Sequence, residues 1–395
     1  MAAPRITGSI DRIQTMTIAN PKSQTRPKMP GPVRAVLVFA LIYLFLVGVS
    51  MLEAGIKDMG AETQEQLFAP VNNPLAGLFI GILGTVLVQS SSASTSVIVG
   101  LVASQALGLE QAVPMIMGAN IGTTVTNTLV SLGHIRASAE FKRAFAAATV
   151  HDFFNLFAVA ILLPLELATG LISGIAKSIS GVLVGTSGSE WESPIKASVK
   201  APVGWIESVW ESLGLTDNPL GIAMVATGLV IVLLALTLIT GNMRRLVADR
   251  VERTLNAVLG KGAGFVAVII GMLITIAVQS SSITTSILIP LTAAGVLTLR
   301  NAYPVTLGAN VGTTITALLA SLATGSTDAL TVALVHTTFN IMGILLLYVV
   351  PFARELPIRS AERLAELAVA RRQWAIAYVV IVFIAIPALG VAFLR

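Results

Sequence analysis

Long apolar stretches alternate with short polar segments along most of the chain. Val33–Gly55 and Leu220–Gly241 are each long enough, as helices, to span about 30 Å of hydrocarbon. Trp374–Leu394 has the same character. Apolar residues make up 55% of the 395 residues and charged residues only 11%, which excludes an ordinary soluble domain. The pattern predicts an all-α polytopic protein of the inner or plasma membrane.

Two apolar stretches, Leu75–Gly100 and Ala263–Pro290, are interrupted by the same four polar residues, QSSS. Serine hydroxyls bond to nearby backbone groups and compete with the hydrogen bonds of the helix. Irregular backbone is tolerated at membrane depth only where it lines a cavity or is buried in protein. We therefore predict a broken or re-entrant hairpin around each motif, and a binding site formed by Gln89, Ser90, Ser91, Ser92, Gln279, Ser280, Ser281 and Ser282.

The QSSS motif belongs to an internal duplication. Gly81–Leu132 matches Gly271–Leu322 at 26 of 52 positions without a gap. Each copy continues into a second motif, GANIGTT from Gly118 and GANVGTT from Gly308. Glycines at these positions permit unwound backbone or a close approach of helices. A duplication that keeps its most polar residues indicates a retained binding site.

Other signals lie next to these motifs. A helix is expected to start near Pro114 in the first copy and near Pro304 in the second. HDFFN (His151–Asn155) and HTTFN (His336–Asn340) then occupy matched places further along. A neutral structural hydrogen bond is the favoured role for His151 and His336.

The distribution of Lys and Arg orients the spans. Met1–Arg34 carries six, Asn242–Gly262 five and Ala353–Gln373 five, which indicates cytoplasmic segments. Glu53–Asn73 carries one basic residue, and Ile172–Asn218 carries three basic and five acidic residues, which indicates external segments. The first copy therefore follows an external segment and the second a cytoplasmic one. Copies entered from opposite faces predict two inverted-topology repeats, an architecture found in secondary transporters.

These signals divide the chain into segments of predicted role. In order they are a cytoplasmic basic segment (1–34), a first transmembrane helix (35–55), repeat 1 (75–171), an external interfacial loop (172–218), a linking transmembrane helix (219–241), repeat 2 (263–353), a cytoplasmic amphipathic helix (354–373) and a last transmembrane segment (374–395).

The predicted site is uncharged, because no Lys, Arg, Asp or Glu lies between Leu75 and Leu109 or between Ala263 and Leu299. Amide and hydroxyl groups, with the free N–H groups of broken helices, bind anions. Hydroxyl and carbonyl oxygens also suit a hard cation such as Na⁺. Two adjacent unit charges attract by several kcal/mol at an effective dielectric constant of about 20. This chemistry predicts symport of an anion with sodium and leaves the anion open.

Asp152 is the acid that stands out, because it lies in an apolar run. Ionisable groups inside spans are costly and usually functional, so the favoured role is in the ion pathway. The alternative is a position at the membrane boundary, paired with Lys142 or Arg143.

Several rival functions remain open from the residues alone. One is a symporter of another oxyanion or of a dicarboxylate, and another is a passive channel. An intramembrane hydrolase with a Ser nucleophile and His151 or His336 as base is disfavoured, because no nucleophile elbow is visible. The absence of cysteine excludes disulfides and thiolate metal sites. The net charge of +5 lies in short loops, so we expect no nucleic-acid partner.

The two QSSS motifs, the paired GANIGTT and GANVGTT motifs and HDFFN together resemble the type II sodium-dependent phosphate cotransporters. Flanking stretches such as FKRAFAAATVHDFFNLFAVAILLPLELATG (Phe141–Gly170) and RELPIRSAERL (Arg354–Leu364) are similar to that family as well. The resemblance runs from about Pro74 to the C-terminus and is weak over Ile172–Asn218. The chain lacks the long cysteine-containing external loop of vertebrate relatives, and it is identified as a bacterial-type member.

The resemblance implies a sodium–phosphate symporter that works by alternating access, is not an enzyme and needs no cofactor besides the coupling ion Na⁺. It implies that both QSSS segments bind phosphate. The predicted sodium-binding residues are Asn120, Thr123, Thr124, Asp152, Asn155, Asn310, Thr313, Thr314, Thr316 and Asn340.

Asp152 matches an acid that electrogenic members carry and electroneutral members lack, so electrogenic transport is expected. His134 and Ala137 stand where relatives can carry a Gln and an Asp implicated in cation binding, and Ala309 where some carry Ser. These departures affect the ligand set of one sodium site.

Overall fold

All regular structure in the part of the chain described by the computed structural model is helical. That part comprises residues 29–68, 71, 73–184, 194–259 and 264–394. The predicted cytoplasmic segment 1–34 falls mostly outside it, as does Trp191 of the predicted external loop. The all-α class is confirmed.

The helices follow one another with short connections. They are α1 (Gly31–Asp58), α2 (Gly60–Phe68), α3 (Pro74–Val88), α4 (Ser91–Ala103), α5 (Leu109–Thr123), α6 (Val125–Ser131), α7 (Ser138–Thr169), α8 (Leu171–Val184), α9 (Pro194–Ser212), α10 (Asp217–Leu259), α11 (Gly264–Val278), α12 (Ser281–Ala293), α13 (Leu299–Thr324), α14 (Thr327–Ile344), α15 (Pro351–Ala370), α16 (Gln373–Val380) and α17 (Ile386–Phe393). A π-helical turn at Leu345–Val349 extends α14, and another at Ile381–Ala385 joins α16 to α17.

Six helical segments among the described residues are long and apolar enough to cross a membrane, which makes this a multi-pass membrane protein. They are Gly31–Asp58, Ser138–Thr169, Asp217–Leu246, Leu299–Thr324, Thr327–Val349 and Gln373–Phe393. The helices on either side of each QSSS motif are shorter, with 15 and 13 residues in each copy. No single helix therefore crosses the bilayer at these motifs.

Glycines allow the first and third helices of each copy to pack closely. A Cβ added at Gly118 of α5 would overlap the carbonyl oxygen of Leu78 in α3. A Cβ added at Gly308 of α13 would overlap the carbonyl oxygen of Val268 in α11. Both GAN motifs are helical, so of the two expected uses of these glycines, close approach is confirmed and unwound backbone is wrong.

The expected helix starts near Pro114 and Pro304 are also wrong. Helices α5 and α13 begin five residues earlier, and each proline lies inside its helix. The start is set by capping: the side chain of Gln111 accepts from the N–H of Gly108, and the Thr298 hydroxyl accepts from the N–H of Asn301. A proline inside a helix removes one hydrogen bond, which the packed helix tolerates here.

Helices α1 and α10 form a second close pair beside the two copies. Gly55 of α1 and Gly221 of α10 contact each other's backbone, as do Gly48 and Gly228. Helix α10 continues to Leu259, so it extends beyond the linking helix expected at 219–241. The segment expected as an external loop contains α8 and α9, and α8 packs against α14.

We predict that Gly308→Ala destabilises the protein, because the added methyl group would overlap the carbonyl oxygen of Val268. Overpacking of this kind costs about 1–3 kcal/mol. The measurement is the thermal unfolding midpoint of the purified protein in detergent. Gly84→Ala in α3 is the matched control, because no atom lies within 4 Å of its added Cβ. Equal midpoints for the two variants would contradict the close packing of α11 on α13.

Candidate functional site

Each QSSS motif breaks a helix in the same way. Gln89 follows α3 and Gln279 follows α11, and both adopt left-handed backbone with φ of 56°. Ser90 then caps α4 by accepting a hydrogen bond from the N–H of Ala93 at 3.2 Å. Ser280 caps α12 by accepting from the N–H of Ile283 at 3.3 Å. Left-handed backbone is uncommon for residues other than glycine and is maintained only when surrounding contacts enforce it.

The glutamine side chains enforce this geometry. The Gln89 amide donates to the carbonyl of Val86 at 2.6 Å and accepts from the Thr126 hydroxyl at 2.9 Å. Gln279 donates to the carbonyl of Ile276 at 2.7 Å, and accepts from the Thr316 hydroxyl at 3.0 Å. Each glutamine therefore satisfies a carbonyl at the end of the broken helix and ties that end to a threonine two residues beyond the second motif, on α6 for Thr126 and on α13 for Thr316.

The two QSSS segments meet at one cavity of about 230 Å³. Leu233, Leu236, Thr237 and Thr240 of α10 complete its wall. No charged side chain of the described part of the chain lines it, in agreement with the sequence. The lining residues from the two motifs are Gln89, Ser90, Ser91, Ser92, Gln279, Ser280, Ser281 and Ser282.

The N-terminal ends of α4 and α12 border this cavity, because their capping serines and first residues line it. A helix N-terminus carries roughly half a positive charge and presents free N–H groups. Two such ends, with serine hydroxyls beside them, favour a small anion without a Lys or Arg.

Four of the five threonines predicted to bind sodium are buried and donate to backbone carbonyls three or four residues earlier. Thr123 donates to the carbonyl of Ala119 at 2.9 Å, and Thr313 donates to that of Ala309 at 3.0 Å. Thr124 and Thr314 likewise donate to carbonyls three residues earlier. Because Thr123, Thr313 and Thr314 use their hydroxyl protons within their own helices, their oxygen lone pairs remain as acceptors, whereas the Thr124 hydroxyl also bonds to the carboxylate of Asp152.

Crossed histidine–asparagine pairs join the two copies. His151 Nε2 lies 2.5 Å from Asn310 Oδ1, and His336 Nε2 lies 3.2 Å from Asn120 Oδ1. Each histidine thus contacts the GAN asparagine of the other copy. All four side chains are at most 3% exposed. These contacts agree with the structural hydrogen bonds expected for both histidines.

Asn155 extends this network and Asn340 does not. Asn155 accepts from the Asn310 amide at 2.8 Å and donates to the carbonyl of Asn120 at 2.9 Å. Asn340, at the matched place in the second copy, donates to the carbonyl of His336 in its own helix. Of the predicted sodium-binding residues, Asn120, Asn155 and Asn310 are therefore joined by hydrogen bonds, whereas Asn340 bonds within its own helix.

Asp152 is fully buried next to this network. One carboxylate oxygen accepts from the Thr128 hydroxyl at 3.1 Å and from the Tyr378 hydroxyl at 3.0 Å. The basic residues considered as its partners bond elsewhere: Lys142 pairs with Glu366, and Arg143 donates to the carbonyl of Ala293. The alternative position of Asp152 in an ion pair at the membrane boundary is therefore wrong.

Three residues of the site were missed in the sequence. Thr126 holds Gln89 as Thr316 holds Gln279, and the duplication would have revealed it. Asn127 accepts from the hydroxyl of Thr285 at 2.9 Å, but its match in the second copy is an alanine, which hides it. Tyr378 lies outside both copies.

We expect Asn310→Ala to destabilise the protein, because His151 and Asn155 would each lose a buried partner. Each unsatisfied buried group costs about 1–3 kcal/mol. Thermal unfolding in detergent measures the effect. Asn242→Ala is the control, since that amide donates only to Leu238 within its own helix. A midpoint for Asn310→Ala that matches the control would mean that the crossed pairs contribute nothing to stability.

Comparisons with known proteins agree with the resemblance seen in the sequence. The family model described as Na+/Pi-cotransporter matches residues 44–187 and 231–364. The chain is 34% identical to sodium-dependent phosphate transport protein 2A of Ovis aries over 425 residues, which cover 89% of the chain and 66% of that protein. It is 33% identical to sodium-dependent phosphate transport protein 2B of Homo sapiens over 443 residues, or 90% of the chain and 64% of that protein.

The chain thus spans slightly less than two thirds of the length of these curated relatives. No solved structure gives a significant match. The family model itself covers more than half of the chain and includes both QSSS motifs and both crossed pairs. The chain belongs to the Na+/Pi-cotransporter family.

Proposed function

We propose that this protein is a sodium-coupled symporter of inorganic phosphate. The observation that carries the proposal is the uncharged cavity bordered by both QSSS motifs and by the N-terminal ends of α4 and α12. The names of the relatives, which are sodium-dependent phosphate transport proteins, support the same substrate pair. The assignment to the bacterial-type members stays a prediction.

Phosphate recognition would rest on the serine hydroxyls and the free N–H groups of the two helix ends. Because no Lys or Arg lines the cavity, the anion's charge needs compensation from a bound cation. Two unit charges 4 Å apart attract by about 4 kcal/mol at an effective dielectric constant of 20. Binding of Na⁺ would therefore strengthen binding of phosphate, which is a physical basis for coupled transport.

Sodium would bind to oxygens of the helices behind the QSSS segments. Hard cations favour neutral and anionic oxygens. The candidates are the amides, hydroxyls and carboxylate already predicted: Asn120, Thr123, Thr124, Asp152, Asn155, Asn310, Thr313, Thr314, Thr316 and Asn340. Some of these oxygens now accept hydrogen bonds from protein groups, so ion entry would exchange those bonds for metal–oxygen contacts.

The crossed pairs suggest how alternating access would work. His151 with Asn310, and His336 with Asn120, link the two copies through buried side chains. If the copies are inverted repeats, as we propose, then a shift of one copy against the other would open the cavity to one face and close it to the other. Exchange of the amide bonds on ion binding would accompany that shift.

The rival functions fit the geometry less well. A Ser–His hydrolase needs a serine hydroxyl at the base, but among the described residues the ring contacts of His151 and His336 are with the amides of Asn127, Asn310 and Asn120. A symporter of another oxyanion would use the same cavity, and substrate competition separates it from a phosphate symporter. Competition by arsenate but not by succinate would favour phosphate.

We predict that Ser91→Ala lowers sodium-driven uptake of labelled phosphate at least about tenfold, because the cavity loses a buried donor to the anion. The measurement is uptake into liposomes that contain the purified protein, with an inward sodium gradient. Ser178→Ala is the matched control, since that hydroxyl is exposed and donates to Gly174 in its own helix. Equal uptake by both variants would refute the phosphate site.

Gln279→Gly tests the other motif without adding backbone strain, because glycine adopts the positive φ of this residue freely. The amide that ends α11 and binds Thr316 is lost. We expect uptake to fall as it does in Ser91→Ala, with the protein still folded in detergent. Unchanged uptake would mean that this amide is not needed for transport.

Asp152→Asn tests the proposed charge-carrying role. The neutral amide keeps the size of the carboxyl group and removes its charge. We expect sodium-driven phosphate uptake to continue while the accompanying current falls to about a tenth or less, as measured on solid-supported membranes. Asp328→Asn, an exposed acid in the first turn of α14, is the control and should keep its current. A full current in Asp152→Asn would contradict electrogenic transport through this residue.

A further inference from the structure

A second polar cavity, of about 200 Å³, lies away from the QSSS motifs at the N-terminal ends of α11, α13 and α15. Gly264, Arg300, Tyr348 and Arg354 are among its lining residues. Its volume exceeds that of a single water molecule, about 30 Å³ in the liquid, several times over. It therefore has room for a group of phosphate size.

The first copy has a counterpart of this cavity, of about 820 Å³. The two cavities are lined by residues at matched positions of the duplication: Glu110 corresponds to Arg300, and Pro114 corresponds to Pro304. The first-copy cavity contains the carboxylate of Glu166, which accepts from the N–H of Ile172 at 2.6 Å at the start of α8. That cavity therefore has an anion of its own at a helix N-terminus. Among the residues that the structure describes, no acid lines the second-copy cavity.

The arginines of the second-copy cavity stand where the helix dipole disfavours them. Arg300 lies in the first turn of α13 and Arg354 in the first turn of α15, and neither first turn contains an acid. A cation near a helix N-terminus is destabilising, whereas an anion there is stabilising. Two arginines at two helix N-termini therefore leave an excess of positive charge around the cavity.

Nearby acids offset part of this positive charge, because Glu355 pairs with Arg300 and the charge of Glu362 also acts on Arg300. Arg300 forms a two-bonded ion pair with Glu355, with Nη2 donating to Oε2 at 2.8 Å. This contact lowers the pKa of Glu355, which Arg359 also approaches at 3.8 Å. The Arg354 guanidinium lies 5.7 Å from the centre of the Tyr348 ring, and no carboxylate of the described residues lies within 4 Å of it. Arg354 thus forms no close ion pair among the described residues, although its charge acts on Glu355 and its guanidinium also bonds to the Tyr348 side chain.

We propose that this cavity binds a phosphate group, with Arg354 as its main ligand. A guanidinium presents paired donors that match the oxygens of a phosphate. The group can belong to the headgroup of an anionic phospholipid or to free inorganic phosphate. Exposed apolar residues flank the cavity, since Phe265 of α11 is 60% exposed and Phe352 of α15 is 77% exposed. Lipid chains can lie against these rings while the headgroup enters the cavity.

The first experiment measures lipid retention by the full-length protein in native mass spectrometry. Phosphatidylglycerol is compared with phosphatidylcholine in Arg354→Gln and in the unaltered protein. We expect Arg354→Gln to retain phosphatidylglycerol about tenfold less and phosphatidylcholine equally. Arg354→Lys should fall between them, because it keeps the charge and loses the paired donors. Lys177→Gln, in the first-copy cavity, is the control and should not differ from the unaltered protein.

The second experiment distinguishes free phosphate from lipid. In delipidated protein carrying Gln279→Gly, which weakens the QSSS cavity, inorganic phosphate is titrated and thermal unfolding is followed. Stabilisation that disappears with Arg354→Gln identifies free phosphate as a ligand, and lipid retention alone identifies the headgroup. If Arg354→Gln changes neither readout, the proposal is overturned. Neither readout depends on sodium-coupled transport, so this result would leave the proposed function unaffected.

Discussion

A helix that breaks inside a membrane must find new partners for the backbone groups it releases, because hydrocarbon offers none. Both QSSS motifs meet this requirement identically. A glutamine with left-handed backbone ends one helix, and its side-chain amide donates to a released carbonyl. The next serine caps the following helix. The N–H groups of the first turn of that following helix are what the caps leave free for a ligand. The uncharged cavity therefore follows from the way in which the breaks are satisfied, and Thr126 and Thr316, two residues beyond the second motif of each copy, fix the position of the glutamines.

The two copies depend on each other through buried amides. Asn120 and Asn310 each contact a histidine of the other copy, and Asn155 joins the two contacts. An unpaired amide in such surroundings is costly, so these residues must stay together or exchange partners with an ion. The structure shows the paired arrangement. It also explains why polar residues so deep in the protein are compatible with a stable fold.

Sequence patterns predicted the parts of this architecture that the chain repeats. The QSSS pairs, the close glycine packing and the matched histidines all lie in segments that occur twice, and the repetition indicated their common role. Asn127 was not predicted because its counterpart in the second copy is an alanine. Tyr378 was not predicted because it lies outside both copies. The helix starts predicted from Pro114 and Pro304 were wrong, because capping at Gly108 and Thr298 sets these starts regardless of the prolines. Contacts made by one copy only depend on tertiary packing, which periodicity in a sequence does not encode.

Differences between the copies carry as much information as their identities. Residues that meet at the shared cavity are the same in both copies, since each contributes half of one uncharged site. Beside the crossed pairs a buried acid occurs in one copy only: Asp152 is matched by Thr337, whose hydroxyl donates to Ala333 in its own helix. A second buried carboxylate would add another desolvation cost and would repel the first. At the N-terminal ends of α5 and α13 the copies differ in the sign of a charge: Glu110 in the first copy is matched by Arg300 in the second. If the copies are inverted, these positions face different compartments, and the charge reversal follows from the excess of basic residues on the cytoplasmic side.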